Sequence, residues 1–135
     1  MIENQEIDYS KLSEILAETE EPAFFKCFFN GTALRSLKAE NAVFNDCKMS
    51  SIDFSYSDFN GAVFRNCDLN NCNFNGCRLF DAKFENCKLS GSDFSDTSNL
   101  NCEFEQCQLC YCFMPCFNFK KLTLRELNFN GAELN

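Results

Sequence analysis

The sequence predicts an all-β solenoid, a parallel β-helix of five to six coils preceded by a short capping α-helix. Three observations predict it: apolar residues recur at every fifth position, equivalent residues recur at every twentieth, and the 135 residues include 17 Phe and 11 Cys but no Trp or His. A period of five fits neither an α-helix at about 3.6 residues nor a flat strand at about two. The chain must therefore turn a corner once per repeat, and four repeats make one coil.

The first element is an acidic segment, residues 1–21, which carries seven acidic residues and a single Lys. Asp8 or Ser10 is suited to cap a helix there, and the apolar residues from Leu12 onward fall on one of its faces. We predict that this helix covers the first coil, because an uncovered end of a repeat array leaves strand edges and core side chains open.

The second element, residues 22–135, is the repeat body. A large apolar residue occupies nearly every fifth position from Phe24 to Leu134, and a small residue, most often Cys, lies two positions before it. Burying about twenty large side chains at roughly 1.5–3 kcal/mol each offsets much of the conformational entropy of the chain. The twenty-residue period predicts a core ladder made of Phe24, Phe44, Phe64, Phe84, Phe104, Cys27, Cys47, Cys67, Cys87 and Cys107.

The repeat becomes irregular towards the C-terminus. At the polar position Asn99, either the amide faces inward and is hydrogen-bonded, or a local bulge places Leu100 in the core instead. From Phe117 to Leu127 large residues replace the small ones, so the last coils are expected to be wider or distorted. The last coil shows no cap in the sequence, and we predict an end-to-end homodimer through it.

The repeat resembles that of the pentapeptide-repeat family, A-(D/N)-(L/F)-x-x. Residues 57–61 (S-D-F-N-G) and 92–96 (S-D-F-S-D) are direct examples, and the resemblance covers residues 22–135. It implies a right-handed quadrilateral β-helix. Because this fold serves many proteins with no known activity, the resemblance does not by itself assign a function.

Catalysis has little support in the sequence. Without His, no Ser, Cys or carboxylate has the usual partner base, and no glycine-rich phosphate loop is present. The carboxylates that precede large apolar residues match the family repeat, so we interpret them as part of it: Asp53, Asp58, Asp68 and Asp93. We predict no enzyme activity, no catalytic residues and no cofactor.

Four thiols lie within ten residues, at Cys107, Cys110, Cys112 and Cys116, in superficial similarity to a zinc or iron–sulfur site. The repeat phase points Cys107 and Cys112 inward and the other two outward, so the four sulfurs would not converge on one ion. We predict no metal site. We interpret the core cysteines as free thiols that pack as small apolar side chains.

Charge and hydropathy narrow the location and the partners. The acidic N-terminus is not a signal peptide, and no apolar run approaches the ~18 residues of a membrane span. We predict a bacterial cytoplasmic protein without membrane contact, and delivery into a host cell is compatible with the same features. The net charge of -8 argues against direct binding to nucleic acid.

Aromatic residues at outward positions give the clearest indication of function. Tyr56, Phe80, Tyr111 and Phe113 stand where a repeat surface should be polar, which is typical of an interaction surface. Tyr111 and Phe113 would equally suit packing on distorted last coils. We predict a non-enzymatic protein-binding or scaffold module whose partner is another protein.

The family resemblance implies an alternative function. Some members interact with the topoisomerase gyrase by mimicking DNA, and they confer quinolone protection. The repeat body of this chain holds 13 acidic and 11 basic residues, so it is a poor imitation of DNA. It is also short, since five to six coils span about 25–30 Å at the spacing of a sheet.

Overall fold

The computed structural model describes residues 1–31, 33–120, 122 and 124–135. It confirms the predicted fold class, a parallel β-solenoid of about six coils with a short N-terminal helix. We number the coils from coil 1, which begins at Phe24, to coil 6, which begins at Leu124. The elements are β1 Ile2–Glu3, β2 Glu6–Ile7, α1 Tyr9–Glu18, β3 Ala23–Phe25, β4 Phe28–Phe29, β5 Val43–Asn45, β6 Val63–Arg65, β7 Lys83–Glu85, β8 Glu103–Glu105 and β9 Leu124–Arg125.

Residues twenty positions apart lie one above another. Strands β3, β5, β6, β7, β8 and β9 form successive rungs of one parallel sheet, in which Phe64 is in register with Phe44 and Phe84. The rings of Phe64 and Phe84 are stacked with their centroids 4.8 Å apart and their planes at 3°. Each coil has four sides, and in coil 2 the buried residues at their centres are, from side 1 to side 4, Phe44, Met49, Phe54 and Phe59.

Each corner within the described residues contains one residue with a positive φ, two positions after the large apolar residue. Asn71 and Gly76 have φ values of 59° and 69°. After Phe74 the corner closes through a hydrogen bond of 3.0 Å from the N–H of Cys77 to the Phe74 carbonyl. This is the pattern of a type II turn, which favours Gly and Asn because they tolerate the left-handed conformation.

Where the small residue of a repeat is Ser, and at most positions where it is Cys, it packs inside the corner and donates a hydrogen bond. The Cys87 thiol donates to the Phe64 carbonyl at 3.2 Å, and the Ser92 hydroxyl donates to the Leu69 carbonyl at 2.8 Å. In both cases the acceptor lies on the preceding coil. Cys and Ser suit this place because each combines a small volume with a donor.

The N-terminal segment covers the start of coil 1 in two ways. Strands β1 and β2 pair with β3 and β4, which adds rungs to sides 1 and 2 that the sequence did not predict. Asp8 then caps α1, since its Oδ1 accepts a hydrogen bond of 2.9 Å from the N–H of Lys11. Leu12 is fully buried, so the predicted capping helix is present and packs on the core.

The ladder of side 4 changes at Asn99. This residue faces inward, with 5% of its surface exposed against 54% for Leu100, so no bulge replaces it. Its side-chain amide takes the place of a backbone rung: Nδ2 donates to the carbonyl of Asn118 at 2.8 Å, and the N–H of Asn118 donates to Oδ1 at 3.2 Å. Phe117 fills the neighbouring small position and is buried there.

Candidate functional site

The four outward aromatic residues predicted from the sequence occupy two separate regions. Tyr56 and Phe80 lie on coils 2 and 3, at the two ends of side 4. Tyr111 and Phe113 lie on coil 5, at the start of side 3. The structure therefore divides the predicted surface into a pair on coils 2 and 3 and a pair on coil 5.

Tyr56 lies at the corner where side 4 begins. Its φ is positive, 61°, and its ring covers the backbone of Gly76 one coil further on. A Cβ atom on Gly76 would stand 2.6 Å from Cδ1 of Tyr56, so only glycine leaves room for the ring there. Tyr56 is nevertheless 67% exposed, and the packing fixes one face of the ring while the other faces solvent.

Arg78 and Phe80 continue the same surface across coil 3. Arg78 lies 3.9 Å from the carboxylate of Asp58, and its guanidinium carbon lies 6.0 Å from the centroid of the Phe80 ring. The N–H of Phe80 donates to Oδ1 of Asn60 at 2.8 Å. These contacts hold Phe80 in a half-buried position with an arginine across its ring, an arrangement stabilised by cation–π attraction.

Leu100 extends this surface to coil 4. It stands in register with Phe80, because Ser98 pairs with Arg78 two positions earlier, and it is 54% exposed. From the sequence, Leu100 was expected only as a substitute for Asn99, although the period of twenty from Phe80 also indicates this outward position. We call the surface formed by Tyr56, Asp58, Arg78, Phe80 and Leu100 the aromatic face.

Side 1 differs in chemistry from the aromatic face. Its outward residues form ion pairs between neighbouring coils, Arg65 with Glu85 at 2.8 Å and Arg125 with Glu105 at 3.8 Å. Such exposed pairs contribute little free energy, because solvent screens them and ordering both side chains costs entropy. Side 1 therefore presents charged residues, four of them in pairs between coils, whereas the aromatic face presents apolar area.

The second aromatic pair packs at the start of side 3 on coil 5. The ring of Tyr111 covers Gly131 as Tyr56 covers Gly76, since a Cβ on Gly131 would stand 2.5 Å from the Tyr111 ring. Tyr111 is 71% exposed and Phe113 is 41% exposed. The two tyrosines thus share one local geometry in two different neighbourhoods.

The four clustered thiols do not meet. Cys107 and Cys112 are buried and donate to carbonyl oxygens of the preceding coil at 3.2 and 2.9 Å, while Cys110 is half-buried and Cys116 is exposed. Burial raises the pKa of the Cys112 thiol to about 12. Across the residues that the structure describes, no group of three or more His, Cys, Asp or Glu side chains is arranged to hold a metal ion.

The carboxylates that precede the large apolar residues serve the turns. Asp53 accepts a hydrogen bond of 3.0 Å from the N–H of Ser55 and pairs with Arg35 at 2.6 Å. Burial raises the pKa of Asp53, but the hydrogen bonds from Ser55 and the pair with Arg35 outweigh it and hold that pKa below its usual value. The same bond to the N–H two residues further on is made by Asp58, Asp68 and Asp93.

Comparisons with known proteins agree with this architecture. Residues 17–94, more than half of the chain, match the family described as the pentapeptide repeat region. Comparison with curated proteins gives no match. In the described residues, no helix has the length and apolar character needed to cross a bilayer.

Among solved structures, a trypsin-treated form of QnrB1, a plasmid-mediated fluoroquinolone resistance protein, is 16% identical over 99% of this chain and 69% of its own, with a TM-score of 0.58. The pentapeptide repeat protein Rfr23 from the cyanobacterium Cyanothece 51142 is 15% identical over 99% and 84%, with a TM-score of 0.41. A pentapeptide repeat protein from the Arabidopsis thaliana thylakoid lumen is 18% identical over 73% and 64%, with a TM-score of 0.42. At these identities the likeness to QnrB1 is one of fold.

Proposed function

We propose that this chain, which belongs to the pentapeptide-repeat family, is a non-enzymatic module that binds another protein through its aromatic face. The observation that carries the proposal is a row of outward residues on side 4 across three coils: Tyr56 over Gly76, Arg78 beside the Phe80 ring, and Leu100 in register with Phe80.

The residue types on this row suit recognition of a protein. Tyr and Arg are enriched among the residues that dominate interface energies, and interface cores are rich in aromatic side chains. Arg78 also brings a charged group that is only loosely paired, at 3.9 Å from Asp58. A partner that offers an apolar patch beside a carboxylate fits both features.

The row is held in place before any partner binds. Gly76 lies under Tyr56, and Asn60 fixes the backbone of Phe80. Side chains that are already ordered lose less entropy on association, which raises affinity for a given area. A solenoid of stacked coils thus provides a rigid plane on which these residues keep fixed spacing.

The test is affinity capture from the native cell, followed by titration of the purified partner against the chain by interferometry. We expect Tyr56→Ala and Phe80→Ala each to weaken binding about tenfold, which corresponds to roughly 1.4 kcal/mol. The matched control is Tyr111→Ala, because Tyr111 has the same corner geometry outside the aromatic face. Circular dichroism melting of each variant separates loss of binding from loss of fold.

The result against the proposal would be a partner that binds Tyr56→Ala and Phe80→Ala as tightly as the wild type. If only Tyr111→Ala lowers the affinity for the partner, the binding surface is on coil 5 and is formed by Tyr111 and Phe113.

A second candidate is interaction with gyrase, since the chain shares its fold with QnrB1. The nearly balanced charge of the repeat body speaks against DNA mimicry. A supercoiling assay with purified gyrase, with and without a fluoroquinolone, decides between the two: protection or inhibition by the chain supports this candidate, and no effect at high excess removes it.

Two sequence-based predictions accompany these proposals. The bacterial cytoplasmic location stays a prediction. So does the end-to-end homodimer, for which sedimentation of the 135-residue chain over a wide concentration range is the test: a mass that rises with concentration and falls back in Leu134→Asp supports it, and a constant monomer mass contradicts it.

A further inference from the structure

Helix α1 leaves a groove between itself and coil 1. The groove has a volume of about 530 Å³. One wall is formed by helix residues 9, 13, 16 and 17, whose spacing places them on one face of α1. The opposite wall is formed by residues 36, 37, 38 and 40 of coil 1. Strands β1 and β2 cover sides 1 and 2 of this coil, so the groove lies where strand pairing has stopped.

The coil wall of the groove is an open β-edge. One coil further on, the equivalent residue Asp58 has both main-chain groups paired with coil 1: its N–H donates to the Leu37 carbonyl at 2.8 Å, and its carbonyl accepts from the N–H of Ala39 at 2.9 Å. Within residues 1–31, 33–120, 122 and 124–135, the N–H of Lys38 and the carbonyls of Lys38 and Glu40 have no hydrogen-bond partner from the protein. Unpaired ladder groups of this kind are a template for another strand.

The lining combines an apolar base with an acidic rim. Leu16 and Ala17 line the groove together with the buried Leu37. An adjoining cavity of about 300 Å³ shares Leu16, Ala17 and residue 40, and residues 18 and 20 add two further carboxylates to its rim. Lys38 adds one basic side chain to the lining, and Lys38 lies in register with Asp58 on coil 2.

We propose that this groove binds an extended basic peptide segment of a partner protein, which adds as one more strand along residues 36–40. Main-chain hydrogen bonds to an open edge provide affinity in this mode of recognition, and alternate side chains provide specificity. An apolar side chain of the peptide would pack over Leu16, and Lys or Arg would face Glu18 and Glu40. The acidic residues of segment 1–21 attract such a segment over a longer range.

The probe is a fluorescein-labelled hexapeptide with the sequence KVRVKV, titrated with the purified full chain by fluorescence anisotropy at low salt. We expect saturable binding by this peptide and none by EVEVEV. N-methylation of alternate KVRVKV residues, on the edge that faces the coil, should weaken binding at least tenfold, because it removes main-chain donors and leaves the charge unchanged.

Charge variants of the chain locate the peptide. Neutralising one rim carboxylate, in Glu40→Gln or Glu18→Gln, should weaken binding about two- to fivefold, as for one exposed ion pair. The matched control is Glu14→Gln, which changes the same charge on α1 outside the groove lining. Among the described residues these three carboxylates make no hydrogen bond or ion pair, so each variant should keep the wild-type melting curve.

Four outcomes would overturn the proposal. Absence of saturable binding removes the peptide site, and equal binding of the N-methylated peptide removes strand addition. If Glu14→Gln weakens peptide binding as much as the rim variants do, the peptide is attracted by the overall acidic charge and not by the groove. Self-association of the chain that Glu40→Lys abolishes would assign the groove to a second copy. Each of these outcomes leaves the test of the aromatic face unaffected, because that face lies on coils 2–4.

Discussion

Tyr56 and Tyr111 occupy corners of the same local geometry on two different sides of the solenoid. Both have positive φ, 61° and 59°, and each ring covers a glycine one coil further on. Tyr56 lies one coil before Arg78 and Phe80, on the same side of the solenoid. Tyr111 lies beside Phe113 on coil 5, where the Asn99 side chain replaces a backbone rung of side 4. The corner geometry is thus a repeated structural device, and its use in binding depends on neighbours that the repeat does not specify.

Coil 3 and the last coil differ in how fully their cores are packed. Phe64 and Phe74, on coil 3, are fully buried between two neighbouring coils, while Leu124 and Leu134 on coil 6 are 45% and 41% exposed. In a solenoid each coil is stabilised mainly by its nearest neighbours. The regular coils should therefore open less often than the last ones.

The largest expected difference concerns core phenylalanines. Phe74 stacks on Phe54 and Phe94 with centroids 5.5 and 4.9 Å apart, so Phe74→Ala should lower the free energy of unfolding by about 3–5 kcal/mol. Phe129→Ala removes a partly buried ring on coil 6 and should cost less than half as much. Urea denaturation measures both, and equal losses would mean that the last coil is as firmly packed as coil 3.

Removal of the Asn99 side chain tests the substitute rung. Asn99→Ala deletes two part-buried hydrogen bonds to the backbone of Asn118 and should cost about 1–3 kcal/mol, because the N–H and the carbonyl of Asn118 lose their partner. Hydrogen exchange should speed up in coils 5 and 6 while coils 2 and 3 stay protected. The control is Asn130→Ala, since Asn130 is exposed; uniform faster exchange in all coils would contradict a local role.

Substitution of the two corner glycines compares the tyrosine pairs directly. Gly76→Ala and Gly131→Ala each place a Cβ against a ring at positive φ, which should cost about 1–2 kcal/mol. Thermal melts measure this cost. Tyr56→Ala should relieve the contact part of the Gly76→Ala penalty and leave the backbone part, as a double-mutant cycle would reveal.

The same glycine variants sharpen the functional contrast. Gly76→Ala displaces the Tyr56 ring from the aromatic face and should lower the affinity for the partner. Gly131→Ala displaces the Tyr111 ring and should leave that affinity unchanged. If the two variants bind the partner with equal affinity, the Tyr56 ring does not contribute to binding.

The smallest expected effect on stability at neutral pH comes from the buried thiol groups. Burial raises the pKa of Cys72 and Cys77 from 9.0 to about 12, so the folded state holds these protons more tightly than the unfolded state. Their contribution to stability is complete below pH 9 and falls as pH rises from 9 towards 12. Denaturation midpoints should be flat near pH 7 and decline above pH 9; Cys72→Ala and Cys77→Ala should each make the decline shallower.

Thiol labelling at pH 8 checks the same burial in both regions. Cys110 and Cys116 are the thiols that are not buried, so two of the eleven cysteines should react quickly with a disulfide reagent and the rest only on unfolding. Fast reaction of a core thiol such as Cys67 would contradict the tight packing of the regular coils.

Much of the fold follows from local pattern. The period of five decides which side chains face inward at each corner, and the period of twenty fixes the register that stacks Phe44, Phe64 and Phe84. The capping helix follows from an acidic amphipathic segment with Asp8 at its start. Such features depend on spacing along the chain, so the sequence is sufficient for them.

Contacts between distant residues were decided by the tertiary structure. The sequence left Asn99 and Leu100 as alternatives, and the choice depends on the backbone of Asn118 on the next coil, with which the Asn99 amide pairs. Strands β1 and β2, the Tyr56 ring over Gly76 and the groove beside α1 likewise arise from packing between separate parts of the chain. A repeat pattern specifies each coil, but it does not specify how an irregular side chain or terminal segment meets the coil beside it.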